Sequence, residues 1–244
     1  MDSFDRIWVA LDTNKAKALK IAELLGKADL SAVAGLKVNR LIDQEVFREN
    51  GEPALLNVLA GYEIPVWVDL KFIDIDRTVE GRMEPYVKSG LVSYVTVMAK
   101  GGIDMMKAAV AAGRKSPAGT TKVIAVTELT SLDEAEVELL SGHSPEASVR
   151  YLARLATDAG VEHMVCSGRE ISAIRKRPEL NRLNLFVPAV NPEWAPVASG
   201  QERTMTIIEA LQRGAKAVVV GSLIVNSDDP VGIVKRIQQD IEAA

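Results

Sequence analysis

The chain has 244 residues and a formal net charge of −4; its length fits one α/β domain, and its acidity argues against a non-specific nucleic-acid binder, because such proteins are usually basic. One cysteine and two histidines exclude an intrachain disulfide and do not favour a zinc site, so a reducing cytoplasm is the expected location. No apolar run approaches the roughly 20 residues that a membrane-spanning helix needs, and the acidic N-terminal residues do not resemble a signal peptide.

Short apolar, β-branched runs alternate with helical patterns along the whole chain. Eight of these runs are predicted strands, at residues 7–11, 32–36, 64–68, 92–97, 122–127, 163–166, 183–187 and 217–220. The last helix, Pro230 to Ile241, follows Asp229, and an Asp-Pro pair is typical of a helix N-terminus. Continuously apolar strands alternating with helices predict parallel βα units. The count of eight predicts a single-domain (β/α)8 TIM barrel over residues 1–244, with a doubly wound open sheet as the alternative.

The third predicted strand runs directly into charged residues with the pattern D-x-K-x-x-D, namely Asp69, Lys71 and Asp74. An unpaired charge is costly to remove from water. The three side chains therefore either reach solvent as an ordinary strand end or lie together so that their charges offset one another. The stretch alone leaves both interpretations open.

Charged residues are concentrated where the first three predicted strands end. They are Asp12 after strand one, Lys37 after strand two, and Asp69, Lys71 and Asp74 at strand three. In a (β/α)8 barrel the carboxyl ends of the strands carry the functional groups. Taken singly, Asp12 or Lys37 is more simply a solvated strand end. Three aspartates and two lysines facing one pocket would shift each other's pKa values, which favours a functional site.

The later strands end in residues suited to ligand binding. Thr130 follows strand five, Pro188 follows strand seven, and Gly221-Ser222 follow strand eight. The long loop after Pro188 contains Gln201 and Arg203, and loops in this part of such barrels often bind phosphate. A glycine after a strand is equally an ordinary turn residue, and the direction in which Glu128 points, towards the pocket or solvent, is left open.

Short stretches spaced along nearly the whole chain match one known family: Val9-Ala10-Leu11-Asp12, Gly35-Leu36-Lys37-Val38, Asp69-Leu70-Lys71-Phe72-Ile73-Asp74-Ile75, Thr78, Thr96-Val97, Gly101-Gly102, Val126-Thr127-Glu128-Leu129-Thr130-Ser131, Val165-Cys166-Ser167, Gln201-x-Arg203 and Val220-Gly221. On these residues the chain resembles the orotidine 5′-phosphate decarboxylase family. The pattern D-x-K-x-x-D with an upstream strand-end lysine is a fairly specific part of the resemblance.

The resemblance implies a homodimeric barrel that converts orotidine 5′-monophosphate to uridine 5′-monophosphate in pyrimidine biosynthesis, with no metal and no organic cofactor. It implies that Asp69 lies against the substrate carboxylate and that Lys71 protonates the C6 carbanion. Lys37 would hold Asp69 and the ribose in place. Asp74 would reach into the site of the neighbouring subunit, so that each site is completed in trans.

The resemblance also implies a set of substrate-binding residues. Asp12 would bind a ribose hydroxyl, Thr130 would touch the pyrimidine, and Thr78 would lie near the phosphate and the dimer seam. The remaining candidates for substrate binding are Pro188, Gln201, Arg203, Gly221 and Ser222.

The chain departs from the family pattern at the expected phosphate site. Asn191 and Ser222 stand where the family usually has arginines, Gly200 replaces an aspartate, and Met98 replaces a histidine. Arginine holds phosphate with two parallel hydrogen bonds. Losing both arginines should weaken phosphate binding by several kcal/mol, at about 1.5–3 kcal/mol per charged hydrogen bond, unless Arg203 or another basic residue replaces them.

Two alternative functions are consistent with these departures. One is a related magnesium-dependent enzyme, a hexulose-phosphate synthase or a keto-gulonate-phosphate decarboxylase. Those enzymes share D-x-K-x-x-D but typically carry glutamate where Lys37 stands, which argues against them. The other is a non-catalytic barrel that binds a nucleotide or a sugar phosphate, an interpretation motivated by the altered phosphate site.

Overall fold

The computed structural model describes residues 6–28, 30, 33–43, 54–196 and 205–244. Eight parallel strands follow one another in chain order around a closed barrel. They are β1 (Ile7–Ala10), β2 (Val33–Val38), β3 (Val66–Phe72), β4 (Tyr94–Met98), β5 (Lys122–Val126), β6 (His163–Val165), β7 (Asn184–Pro188) and β8 (Ala217–Val220). The barrel closes where β1 pairs with β8, with Trp8 beside Val219. The predicted barrel is confirmed, and the open sheet is wrong.

Helices connect successive strands and pack against the outside of the barrel. Within the described residues they are α1 (Lys15–Lys27), α2 (Arg40–Asp43), α3 (Ala54–Ala60), α4 (Asp76–Ser89), α5 (Gly102–Gly113), α6 (Glu134–Ser141), α7 (Pro145–Asp158), α8 (Ile171–Arg175), α9 (Ile207–Gln212), α10 (Ser222–Val225) and α11 (Pro230–Ala243). The predicted cap at Asp229 is confirmed, since its side chain accepts a hydrogen bond from the Gly232 N–H at 2.8 Å. No helix in the described ranges combines the length and apolarity needed to cross a membrane.

Seven of the strands lie within two residues of their predicted bounds, but β3 extends four residues beyond the predicted end at Val68. Asp69 and Lys71 therefore lie inside the strand and not after it. The apolar run did not mark the strand end because the charges of these residues are paired with each other, which makes their burial tolerable.

An aromatic cluster fills the interior of the barrel. It consists of Trp8, Trp67, Tyr94, His163 and Phe186, whose rings meet mostly edge to face, with centroid separations from 5.1 Å to 6.5 Å. The Trp67 indole N–H donates to the hydroxyl of Thr96 at 2.6 Å, so its polar atom is satisfied.

Gly35 on β2 makes room for this aromatic cluster. A Cβ at this position would lie 2.3 Å from Cζ3 of Trp8 and 2.6 Å from the carbonyl oxygen of Pro65. Side chains do not approach this closely, so β2 passes Trp8 only because residue 35 has no side chain. The aromatic cluster and β2 lie directly below the charged residues at the strand ends.

Candidate active site

The charged residues predicted at the first three strand ends belong to neighbouring strands of the barrel. Lys37 lies on β2, where it pairs with Ala10 of β1 on one side and with Trp67 of β3 on the other. Asp69 follows Trp67 by two positions, so both side chains lie on the same face of β3. Parallel pairing in this register brings the three carboxyl ends together above the aromatic cluster.

One oxygen of Asp69 joins two lysines. Lys37 Nζ donates to Asp69 Oδ2 at 2.8 Å, and Lys71 Nζ donates to the same oxygen at 2.9 Å. Lys37 Nζ also lies 3.9 Å from Asp12 Oδ2, which adds a weaker contact from the end of β1. We call Asp12, Lys37, Asp69 and Lys71 the charged cluster.

Exposure increases across the charged cluster from the barrel interior to its mouth. The side chain of Asp69 is 7% exposed and that of Lys37 is 10% exposed, whereas Lys71 is 33% and Asp12 is 57% exposed. Lys37 is therefore committed to structural contacts with Asp69. The side chain of Lys71 is partly accessible to a ligand.

The pKa of Asp69 is lowered below its ordinary value. Burial alone would raise this pKa, but the charges and hydrogen bonds of Lys37 and Lys71 outweigh burial. Asp69 is therefore an ionised carboxylate at neutral pH. With Asp12 beside Lys37, the two lysines are balanced by two carboxylates, so the charged cluster carries no net charge.

The backbone of Lys71 is strained. Its φ is 49°, in the left-handed region, and Lys71 is one of three non-glycine residues with positive φ in the described ranges. The pairing of β3 with β4 shifts register between Val68 and Phe72, so the strained residue lies in an irregular part of the strand. A non-glycine residue in this conformation costs about 1–2 kcal/mol, and such strain is concentrated at functional sites.

Asp74 does not join the charged cluster of its own protomer. Its side chain is exposed, and its Oδ1 accepts a hydrogen bond from the Ile75 N–H at 2.7 Å. Two large apolar residues beside it, Ile73 and Ile75, are 51% and 59% exposed. The structure thus brings together three of the four predicted catalytic residues and leaves Asp74 on an exposed, partly apolar loop.

The predicted substrate-binding residues occupy separate parts of the barrel rim. Thr130 and Pro188 line a cleft of about 870 Å³ at the ends of β5, β6 and β7. Thr78 lies half-buried in the first turn of α4. In the described part of the chain, no hydrogen bond joins any of these three to the charged cluster, although all follow the carboxyl ends of strands.

The predicted phosphate region is described only in part. Gln201, Arg203 and the departure at Gly200 lie outside the described residues. Gly221 links β8 to α10 with φ at −117°, so no left-handed conformation requires a glycine there, and Ser222 begins α10 exposed. Asn191 forms an isolated bridge with Thr206 beyond the end of β7.

The sequence does not reveal the role of Glu128, which is a buried carboxylate. Glu128 follows β5 and is 4% exposed, close to Lys100 and Ser148. Its signal in the sequence is an acidic residue directly after a buried strand, but its partners lie 28 and 20 residues away, and no local pattern points to them.

The described ranges contain no group of three or more histidine, cysteine, aspartate or glutamate side chains placed to hold a metal ion. The charged cluster itself contributes two carboxylates and two ammonium groups. Its arrangement suits electrostatic stabilisation and proton donation at a substrate atom.

A family model described as "Orotidine 5'-phosphate decarboxylase / HUMPS family" matches residues 5–237. Among curated relatives, the orotidine 5'-phosphate decarboxylase of Paramagnetospirillum magneticum is 35% identical over 243 residues, covering 96% of this chain and 97% of that protein. The enzyme of the same name from Anaeromyxobacter sp. is 38% identical over 238 residues, covering 97% of this chain and 98% of that protein.

Two solved structures have a similar fold over nearly the whole chain. Orotidine 5'-phosphate decarboxylase from Lactobacillus acidophilus has a TM-score of 0.75 and 27% identity, covering 97% of this chain and 99% of that one. An uncharacterised conserved protein from Geobacillus kaustophilus has a TM-score of 0.74 and 26% identity, covering 96% and 99%. The family resemblance predicted from the sequence is confirmed.

Proposed function

The chain belongs to the orotidine 5′-phosphate decarboxylase / HUMPS family, and from this we propose that it is a carboxy-lyase that converts orotidine 5′-monophosphate to uridine 5′-monophosphate in pyrimidine biosynthesis. The observation that carries the proposal is the contact of Lys71 with Asp69 at 2.9 Å, with Lys37 on the same oxygen. The curated relatives named above are orotidine 5′-phosphate decarboxylases, which favours this reaction over the magnesium-dependent alternatives and over a non-catalytic barrel.

The proposed chemistry begins with heterolysis of the bond between C6 and the carboxylate. The electron pair stays on C6, carbon dioxide leaves, and the pyrimidine ring has no electron sink for the resulting carbanion. The ammonium group of Lys71 stabilises the developing charge and donates a proton to C6. Lysine then regains its proton from solvent, so that the products are carbon dioxide and uridine 5′-monophosphate.

Asp69 and Lys37 prepare the site for this step. Asp69, kept ionised by its two lysines, lies where it would repel the substrate carboxylate, and departure of carbon dioxide relieves that repulsion. Lys37, nearly buried, holds the Asp69 carboxylate in position through the same oxygen that Lys71 contacts. A fixed arrangement of this kind requires no reorganisation during the reaction.

The protein acts as a homodimer in this proposal, with Asp74 completing the site of the partner subunit. Two observations support it: Asp74 is exposed and separate from its own charged cluster, and Ile73 and Ile75 beside it present apolar surface to solvent. Apolar side chains in this position favour burial against a second copy. We further propose that the chain is one domain and works in the cytoplasm.

The remaining roles concern substrate binding. Asp12, beside Lys37 at the mouth of the barrel, binds a ribose hydroxyl, and Thr130 contacts the pyrimidine. Thr78 lies near the phosphate and the dimer seam. The other residues assigned to the nucleotide and its phosphate are Pro188, Gln201, Arg203, Gly221 and Ser222.

The test is turnover of orotidine 5′-monophosphate in the presence of EDTA, followed as loss of the orotate absorbance. Wild type should be active without metal, and Lys71→Ala should lose at least roughly 10³-fold in kcat, as expected for removal of a proton donor and its charge. Lys88→Ala, which removes an exposed lysine of α4, is the matched control and should be fully active.

Two outcomes would contradict the proposal. Absence of turnover in wild type, with Lys71→Ala indistinguishable from it, would exclude decarboxylation. A rate that appears only after magnesium is added would instead favour the related magnesium-dependent enzymes.

A further inference from the structure

Among the described residues, Glu128 is the most deeply buried carboxylate outside the charged cluster. Its Oε1 accepts a hydrogen bond from the hydroxyl of Ser148 at 2.6 Å, and its Oε2, which has no hydrogen-bond partner within the described ranges, forms an ion pair with Nζ of Lys100 at 2.5 Å. Glu128 is 4% exposed, whereas the side chain of Lys100 is 33% exposed. Burying a carboxylate is costly, and the nearby ammonium group and the serine hydroxyl offset part of that cost.

The partners of Glu128 come from three different elements. Lys100 lies in the 3₁₀ turn that follows β4, Glu128 follows β5, and Ser148 lies on α7. Strands β4 and β5 are paired throughout, from Tyr94 beside Lys122 to Met98 beside Val126. The ion pair thus ties the exits of two neighbouring strands to each other, and the serine ties them to an outer helix.

The segment leaving β5 is also held at its base. The backbone N–H and the hydroxyl of Thr127 both donate to the carbonyl oxygen of Val165 on β6, at 3.2 Å and 3.0 Å. Three residues later, Thr130 is exposed and lines the same cleft as Glu128. The segment that leads to Thr130 is therefore anchored at two successive residues, Thr127 and Glu128.

We propose that Lys100 and Glu128 are positioning residues for the nucleotide base: their ion pair holds the segment after β5 so that Thr130 meets the pyrimidine. This inference rests on the proposed decarboxylation, because it takes Thr130 to be a pyrimidine contact. Neither Lys100 nor Glu128 touches the reacting carbon. Both act through Thr130, and Ser148 orients Glu128 from behind.

Binding of two ligands separates positioning from a general effect on folding. Uridine 5′-monophosphate contains the pyrimidine, whereas ribose 5-phosphate lacks it and makes no contact with Thr130. Lys100→Met, which keeps the stem and removes the charge, should weaken binding of uridine 5′-monophosphate roughly three- to tenfold, the range for one lost hydrogen bond. Its affinity for ribose 5-phosphate should be unchanged in titration calorimetry.

Further variants make the test more specific. Lys100→Arg retains the charge and should recover most of the affinity, and Glu128→Gln should reproduce the loss if Lys100→Met folds poorly. In a Thr130→Ala background, Lys100→Met should cause no further loss of affinity for uridine 5′-monophosphate, because the two changes act through one contact. Lys115→Met, which breaks an exposed ion pair with Glu80, is the matched control and should bind both ligands as wild type does.

The outcomes distinguish this inference from the proposed function. If wild type decarboxylates orotidine 5′-monophosphate but Lys100→Met and Glu128→Gln bind uridine 5′-monophosphate as tightly as wild type, the positioning role is wrong. Equal weakening for both ligands, or effects additive with Thr130→Ala, would also overturn it and leave the ion pair a purely structural one. If wild type itself has no decarboxylase activity, the proposed function is wrong, and the positioning role that rests on it is wrong as well.

Discussion

At the scale of single residues, Asp69 holds the charged cluster together because both lysines donate to its one oxygen. Its pKa is lowered by Lys37 and Lys71 against the opposing effect of burial. A lowered pKa of an acid stabilises the fold above the unfolded value of 3.8, and this contribution is lost as pH falls below it. Asp69 therefore remains charged, and the cluster intact, throughout the neutral range.

Ala189 is a second residue with a strained backbone, at φ 57° directly after β7. Alanine in the left-handed region costs about 1–2 kcal/mol, while glycine adopts it freely but loses more chain entropy on folding. Ala189→Gly should therefore raise the free energy of unfolding by up to about 1 kcal/mol, measured by urea denaturation.

Ala195→Gly is the control for that substitution. Ala195 does not have a positive φ, so glycine there brings only the entropic cost and should lower stability slightly. A decrease in stability for both variants would show that Ala189 is not under strain.

At the scale of elements, the sequence predicts the end of β2 to within two residues but places the end of β3 four residues too early. The carboxyl-end rule predicted Lys37, Asp69 and Lys71 as a site, and the structure brings them together. The end of β3 was misplaced, because apolar periodicity does not recognise a buried strand whose charges are paired. The pairing of Lys100 with Glu128 was also missed, because a contact across 28 residues leaves no periodic signal in the sequence.

Gly35 gives an element-scale prediction for β2. Gly35→Ala would place a Cβ 2.3 Å from the Trp8 ring and 2.6 Å from the Pro65 carbonyl, so strand and ring must move apart. Overpacking of this kind costs about 1–3 kcal/mol, and β2 would also carry Lys37 away from Asp69. Both the free energy of unfolding and kcat should fall.

Gly81→Ala is the matched control within the same barrel. Gly81 lies inside α4, and a Cβ there meets nothing within 4 Å. Alanine should therefore stabilise the helix by about 1 kcal/mol and leave kcat unchanged. Equal effects of the two substitutions would contradict the role given to Gly35.

At the scale of the whole molecule, His163 makes stability depend on pH. Both of its ring nitrogens are buried without a hydrogen-bond partner, and burial, with Lys122 and Lys216 nearby, lowers its pKa to about 4. The folded protein therefore keeps His163 neutral where the unfolded chain takes up a proton. Stability should fall by about 3 kcal/mol as pH drops from about 6.5 to 4.

His163→Phe should flatten this dependence while keeping a ring against Tyr94 and Phe186. Urea denaturation at several pH values between 6.5 and 4 measures it, with the exposed His143 changed to Gln as the control. An unchanged slope in His163→Phe would place the acid sensitivity in another group.

The proposed dimer gives a second prediction for the whole molecule. Lys71→Ala and Asp74→Ala should each be nearly inactive, but an equal mixture, unfolded and refolded together, should recover about a quarter of wild-type activity. Half of the dimers are then mixed, and each mixed dimer has one complete site. Activity measured after refolding, with size-exclusion chromatography to confirm dimers, tests this.

Mixing Lys71→Ala with the double variant Lys71→Ala/Asp74→Ala is the control. No dimer in that mixture contains a complete site, so no activity should return. Full activity of Asp74→Ala by itself would show that Asp74 is not required in either subunit.

The aromatic cluster below the charged cluster determines how the substrate enters the site and how carbon dioxide leaves it. Trp8, Trp67 and Phe186 are buried against one another in the barrel interior beneath Asp69, so the charged cluster is approached from the carboxyl ends of the strands. In the proposed reaction, carbon dioxide is released at the charged cluster while the nucleotide lies above it. The gas therefore has to escape past the nucleotide, or follow it out, at the same end of the barrel by which the substrate arrived.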